Sequence, residues 1–325
     1  MLTRRTKTPG CLNILFLGGA KRTGMARLFR KAGQERGLDV NIFSYELDPR
    51  VPVALVGQVI TGLKWRDPDL YEHLHRTVAE NSIDIIVPFV DPAVEVAAKY
   101  AARYGDAFCA CGDGQTARDM FDKTVAAGLF ASNGIPAPLT AGEGAVFPMI
   151  AKPRNGSASK GIRVLASQSD LDALADPGNY QIQEYVADAV EYSVDCYVAR
   201  DGRLLGAVPR RRLEVIGGEV SVSQTERNDT LARLTREAVE RLGLTGPLTL
   251  QFLYDTVRDR YLIMEINPRL GGGAVLSVHA GLPLPGWIID EATDCPVKTV
   301  DDWTDGARMT RSFEEAVFAP DGTLI

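Results

Sequence analysis

Residues 248–273 constrain the chain more than any other stretch. The runs LTLQFLYD (248–255) and YLIMEIN (261–267) are apolar and aromatic, as buried strands are, and the polar loop TVRDR between them makes a hairpin. Side chains alternate across a strand, so Glu265 and Asn267 share a face. If the hairpin is symmetric about Arg258, Gln251 lies directly opposite Glu265. One carboxylate and two amide oxygens on one patch suit a hard cation such as Mg²⁺. Arg269 follows Pro268, and its planar fork of donors suits a phosphate or a developing oxyanion. A strand simply leaving a sheet would also end in Pro and Gly, but it leaves an acid, an amide and an arginine on one side unexplained.

At 325 residues the chain can bury two or three cores. Its formal net charge of -6 gives no basic footprint for nucleic acid, so anionic substrates must be met by local clusters. The five cysteines, Cys11, Cys109, Cys111, Cys196 and Cys295, match no zinc spacing and read as free thiols of a reducing cytoplasm. Three histidines leave little room for a zinc enzyme or a Ser-His-Asp hydrolase. No stretch is long enough to span a membrane. The basic residues 1–7 and apolar residues 12–20 lack a small-residue cleavage site and read as the approach to a first strand.

Strand-like and helical patterns alternate up to residue 111: strands at 13–20, 40–44, 83–90 and 107–111, helices at 25–36, 68–80 and 92–104. That alternation predicts a parallel sheet covered on both faces, a small doubly wound domain over residues 1–113. Its first turn, GGAKRTG (18–24), meets neither the dinucleotide nor the P-loop spacing. The turn could still bring backbone N–H groups, Lys21 or Arg22 to an anion at the sheet edge, where Asp91 also falls; it reads equally as a plain strand-to-helix turn. His73 and His75, two apart on a helix, are expected at the surface with their rings diverging.

A helix is expected over 114–131, with Gly134 as its left-handed C-cap. Lys152 ends a strand, and the loop RNGSASKG (154–161) leads to another at 162–165. Such a glycine-serine loop can fold over a polyphosphate or be a solvated hairpin tip. Strands follow at 181–186 and 191–198. Arg210, Arg211 and Arg212 come after the strand LLGAV as a solvated basic triplet or a hold on substrate. A core helix covers 229–242.

The order of these parts resembles the ATP-grasp superfamily, nearest to one ATP-grasp half of the carbamoyl-phosphate synthase large subunit. The resemblance rests on DK (122–123), AKPRNGSASKG (151–161), QEYV (183–186), EYSVD (191–195) and QF…MEINPR (251–269), five weak motifs in one order over nearly the whole chain. It implies a mixed α/β (α+β) fold. A Rossmann-like pre-ATP-grasp domain (1–113) would precede a two-lobed ATP-grasp domain (114–325) of mainly antiparallel sheets, with a small lobe at about 139–195 and a large lobe at about 196–308. By position, Lys123 and Lys152 would contact ATP phosphates under the loop Gly156, Ser157, Ser159, Lys160 and Gly161. Glu184 would accept from the adenine amino group, with Tyr185 and Val186 lining the hinge, and Glu191 would bind the ribose. Glu265 would bridge two Mg²⁺ (or Mn²⁺) ions, with Gln251 on one and Asn267 on the other. Arg269, with Lys152 and Lys123, would serve the phosphoryl transfer.

The implied chemistry is activation of a small carboxylate as an acyl phosphate, followed by attack of an amine. The substrates are thus a carboxylate and an amine, in a cytoplasmic protein that could be a homodimer and that needs no nucleic acid or membrane. The uncharged Gly271, Gly272 and Gly273 after the arginine disfavour bicarbonate and, with Arg210 and Arg212, are candidates for the substrate pocket. Three readings compete: carboxyphosphate or carbamoyl phosphate chemistry, an inert nucleotide-binding protein, and a nicotinamide-dependent oxidoreductase using Glu46 or Asp48 as its ribose acid.

Overall fold

The chain alternates strand and helix at first, then turns to long antiparallel strands; the structure is a computed structural model describing residues 10–156, 161–312 and 314–325. β1 (Cys11–Leu17), α1 (Thr23–Gln34), β2 (Asp39–Glu46), β3 (Gln58–Thr61), α2 (Leu70–Glu80), β4 (Ile85–Pro88), α3 (Asp91–Arg103) and β5 (Phe108–Cys109) come first. Their strands form one parallel sheet in the order β3-β2-β1-β4-β5. β1 shows why the sheet is covered twice. Leu12, Ile14 and Phe16 point into one core with α1, and Leu15 and Leu17 into another with α2 and α3. The edge strand β3, short and half-exposed, carries too weak an apolar pattern to have been expected.

α4 (Gly114–Phe121) and α5 (Lys123–Ser132) replace the single expected helix. The break is Asp122, whose carboxylate accepts from the N–H groups of Thr124 and Val125 and thereby caps a new helix. It also binds Arg154 at 2.6 Å. Gly134 does follow α5 in the left-handed conformation, at φ 62°. β6 (Met149–Pro153), β7 (Arg163–Leu165), α6 (Gln168–Asp172) and β8 (Tyr180–Glu184) then build a three-stranded antiparallel sheet ordered β7-β6-β8.

The remaining strands are β9 (Val190–Val198), β10 (Leu204–Ile216), β11 (Glu219–Thr225), β12 (Gly246–Asp255), β13 (Arg260–Asn267) and β14 (Arg308–Thr310). They form a six-stranded antiparallel sheet ordered β13-β12-β9-β10-β11-β14. β9, most of which a lobe boundary at 195 would assign to the small lobe, pairs wholly within this sheet. The arginine triplet lies inside β10 rather than after it, so Arg210 and Arg212 share one face and the exposed Arg211 takes the other.

α7 (Asp229–Leu242) and α5 pack on one face of the large sheet through Leu231, Leu234, Ala238 and Phe130. The first core continues from α1 into Tyr197, Val208 and Trp287, the last on α9 (Leu284–Ala292), which follows α8 (Ala274–His279). The parallel sheet and the large antiparallel sheet thus share a core. The two histidines are half-buried rather than free at the surface. His73 pairs with the Tyr45 hydroxyl at 2.9 Å, and His75 with the Tyr100 hydroxyl at 3.3 Å and with Asp106. Among the described residues no helix is long and apolar enough to cross a membrane.

Candidate active site

The β12–β13 hairpin places the acid and the two amides. Gln251 does face Glu265, but not because the hairpin is symmetric about Arg258. Near the turn the pairs are Asp255 with Arg260 and Phe252 with Ile263, one residue out of step with Gln251–Glu265. Met264 is the extra residue of a β-bulge, and a bulge turns two neighbouring side chains toward one face. Met264 and Glu265 accordingly both line an open cleft of about 730 Å³, together with Gln251, Asn267 and Arg269.

Within the cleft the amide oxygens are already oriented. Arg212 Nη1 donates to Gln251 Oε1 at 3.1 Å, and Arg269 Nη2 donates to Asn267 Oδ1 at 2.9 Å. An amide oxygen has two lone pairs, so each can accept from an arginine and still face a cation. The Glu265 carboxylate makes no hydrogen bond or ion pair within the described residues. No group of three His, Cys, Asp or Glu forms a metal cluster among them. What exists is an oxygen set of one acid and two amides, and it fits a hard cation rather than a soft one.

Lys152, at the end of β6, is 7 % exposed and lines the same cleft. Burial pushes its ammonium down to about 8; Glu265 pulls it back up, Lys123 presses it lower and Glu191 raises it slightly. Lys123 sits in the first turn of α5, its backbone N–H on Arg154 and its Nζ 2.7 Å from the Gly156 carbonyl. The loop that begins at Gly156 is therefore tied to Lys123. The expected roles of Ser157, Ser159 and Lys160 fall outside the described residues. Gly161 resumes the chain at φ 75°.

Glu184 Oε1 is engaged by Arg258 at 3.0 Å and by Arg260, while Oε2 meets only the Leu139 N–H, at 3.5 Å. The backbone from Glu184 to Val186 still lines the cleft, with Tyr185. Glu191 is half-exposed and binds Arg212 at 3.1 Å.

Arg269 links the two halves of the molecule. Its Nε binds Asp91 at 2.6 Å, at the start of α3 on the parallel sheet's C-terminal edge. The glycines beyond it are required by close approach. A Cβ on Gly271 would lie 2.7 Å from Thr249 Oγ1, and one on Gly273 only 2.5 Å from Arg210 Nη1. Arg210 cannot retreat, because it is buried and bound to Asp195 at 2.7 Å. Asp195, fully buried, also accepts from Thr249 at 2.7 Å and Ser277 at 2.6 Å. Sequence reasoning placed Asp195 in a motif but gave it no task; its partners lie far along the chain. Gly273→Ala is expected to break this buried pair and lower stability by about 3–5 kcal/mol, read as a fall in melting temperature. An unchanged melting curve would refute the account.

The turn at 18–24 brings the proposed ribose acid back onto the chain. Glu46, at the end of β2, accepts from the backbone N–H groups of Gly19 and Ala20 and from Ser44 Oγ at 2.7 Å. Burial raises its carboxyl despite these bonds. The acid that would hold a ribose is instead turned back onto the first turn, close to the amides of Gly19 and Ala20.

With mixed sheets of this order and an open cleft between them, the chain has the ATP-grasp fold. Residues 180–314 match the family model described as "ATP-grasp in the biosynthetic pathway with Ter operon". Mitochondrial acetyl-CoA carboxylase of Saccharomyces cerevisiae is 28 % identical over 173 residues, which is 48 % of this chain and 8 % of that protein. The chain therefore spans a small part of the carboxylase it matches. Two solved structures share the fold. Biotin carboxylase from Campylobacter jejuni, in an ATP-analogue complex, has TM-score 0.72 and 16 % identity, covering 91 % of this chain and 74 % of that one. L-amino acid ligase from Bacillus licheniformis has TM-score 0.67 and 17 % identity, covering 90 % and 76 %.

Proposed function

We propose that the protein is an ATP-dependent ligase. It activates a small carboxylate as an acyl phosphate and passes the acyl group to an amine, forming an amide or peptide-type C–N bond. The observation that carries this is the convergence on one cleft of two lysines, Lys123 and Lys152, an oxygen-only donor set, Gln251, Glu265 and Asn267, and Arg269. The amino acid ligase and the biotin carboxylase complex, which share the fold, support the reading. In it, residues 1–113 and 114–325 are the pre-ATP-grasp and ATP-grasp domains.

Ile150, Val186, Leu253 and Met264 give the cleft apolar walls for a base, with Glu184 accepting from its amino group and the Tyr185–Val186 backbone lining the hinge. Lys123 and Lys152 hold the phosphates; Glu191 faces the ribose. Glu265, Gln251 and Asn267 would hold Mg²⁺, one ion or two, with Mn²⁺ as a substitute. Such an ion supplies charge neutralisation on the transferring phosphoryl group.

Arg269, fixed by Asp91, orients the substrate carboxylate in line with the terminal phosphorus and neutralises the charge that develops there. A carboxylate oxygen bonds to phosphorus as the bond to ADP breaks. The amine then bonds to the acyl carbon, phosphate leaves with the acyl C–O bond pair, and the amine's proton passes to solvent or phosphate. No protein nucleophile is needed, and the thiols of half-buried Cys109 and Cys111 and of buried Cys196 are pushed up by desolvation, away from reactive thiolate.

The test is a set of two measurements. MgATP is expected to raise the melting temperature while NADH does not, and a screen of carboxylate and amine pairs is expected to release ADP only with both present. Protection by NADH alone, or ADP release indifferent to every pair, would refute the reading.

A further inference from the structure

At one end of the cleft the arginines outnumber the carboxylates that pair with them. Five arginines gather there: Arg22, Arg210, Arg212 and Arg269 line the cleft, and Arg311 borders it on the Gly272 carbonyl. Four have a carboxylate each: Arg210 with Asp195 at 2.7 Å, Arg212 with Glu191 at 3.1 Å, Arg269 with Asp91 at 2.6 Å and Arg311 with Glu219 at 2.9 Å. The fifth, Arg22, comes from the first turn of the parallel sheet. Its side chain is only 15 % exposed, and it donates no hydrogen bond to a described residue. The carboxylate it approaches, Glu219, stands 3.9 Å away and belongs already to Arg311.

A second orphan lies beside it. Arg210 Nη1 is buried against Gly273 and has no acceptor. Buried donors without acceptors are costly, and a buried guanidinium without a counter-charge more so. Desolvation depresses the Arg22 guanidinium; Glu219 offsets this in part, while Arg269 and Arg311 depress it further.

Its placement is not accidental drift of a long side chain. Glu46 fixes the turn through Gly19 and Ala20, and the Arg22 N–H binds the Gly19 carbonyl at 2.8 Å. Arg22 Nη1 and Arg311 Nη2 then close on the same point, 3.0 and 3.5 Å from where a Cβ on Gly272 would stand. Arg311 Nη2 is held there by the Gly272 carbonyl, to which it donates at 2.7 Å.

The two ends of this pocket differ. The carboxylate that reacts must lie beside Arg269 and the metal-ligand oxygens, within bonding reach of the nucleotide. Arg22 lines the cleft beside Gly272, three residues past Arg269, and comes from another part of the chain. We propose that the acid substrate carries a second anionic group besides the carboxylate that is activated, and that Arg22 recognises it. The inference rests on the ligase reading and narrows it: a lone bicarbonate has no second anionic group for Arg22 to bind.

The experiment uses the full chain loaded with MgADP and matched probes, succinate against butyrate and phosphoglycolate against glycolate. Calorimetry is expected to show the dianion of at least one pair binding roughly tenfold or more tightly than its monoanionic partner. Arg22→Gln is expected to abolish that preference, Arg22→Lys to keep part of it, and neither to alter MgADP affinity. Equal or undetectable binding of both members of each pair, or a preference surviving in Arg22→Gln, would overturn the proposal. Failure of Arg22→Lys to rescue would assign Arg22 to folding instead and overturn it as well. Hydroxamate formation from MgATP, probe and hydroxylamine reports separately on the ligase reading. Dianion binding that depends on Arg22, without any hydroxamate, would sink that reading and leave the anion site standing.

Discussion

Glu265→Gln is expected to lower ADP formation on the order of 10³-fold while the melting curve of the free protein stays where it was. The two halves of this result have separate causes. Glutamine has the size and shape of glutamate, and the Glu265 side chain has no hydrogen bond or ion pair within the described residues to lose. Its neighbours Ile263 and Ile266 carry the packing of β13, at 1 % exposure each. The function, by contrast, loses the one formal negative charge of the oxygen set, since Gln251 and Asn267 are neutral. A divalent cation would then be held by three amides beside Arg212 and Arg269, both cationic and both bound to those amides. ADP release, measured beside thermal melting, decides the matter. Turnover within about tenfold of the wild type would show that Glu265 does not hold the ion.

Much of this site was legible because its parts are close in sequence. Gln251, Glu265, Asn267 and Arg269 sit on one hairpin, and a two-residue period places three of them without any tertiary knowledge. The alternation of strands with helices up to residue 111 likewise announced a sheet buried on both faces. What escaped was set by contacts across the chain or by one-residue irregularities. A bulge at Met264 decides the hairpin register, yet nothing in LIMEIN marks it.

Asp122 breaks a helix because a carboxylate can cap, a choice that Arg154 across the cleft reinforces. The two arginines on Glu184 Oε1, Arg258 and Arg260, escaped notice because they lie about seventy residues away. Arg22 looked like one of two basic residues in an ordinary turn, and Glu46 like a ribose ligand. Only their geometry shows the acid closing the turn and the arginine leaving it.

Lys152→Met is expected to move stability and function in opposite directions. Methionine fills nearly the volume of the lysine stem and needs no water, so the desolvation that holds the ammonium near 8 disappears. Replacing a buried charge with an apolar side chain of similar size is neutral to stabilising, here by about 1–4 kcal/mol. Nucleotide binding loses a charge-assisted contact worth about 1.5–3 kcal/mol, a factor of roughly ten to a hundred in ATP affinity.

The pH dependence of the wild type follows with a definite sign. The unfolded lysine titrates near 10.5 and the folded one near 8, so between these values the unfolded chain binds the extra proton and this residue makes stability rise with pH. Phosphate oxygens favour the charged form. Below pH 8 Lys152 already carries its proton; above it, ATP must bind together with one, and affinity falls by up to about tenfold per pH unit. A bound cation on Glu265 removes the charge that supports the ammonium and steepens the same trend. Calorimetric titration of ATP at pH 7 and pH 9 is expected to show this fall in the wild type and a clearly smaller one in Lys152→Met. Equal slopes, or a variant that binds ATP as tightly as its parent, would place the phosphates away from Lys152.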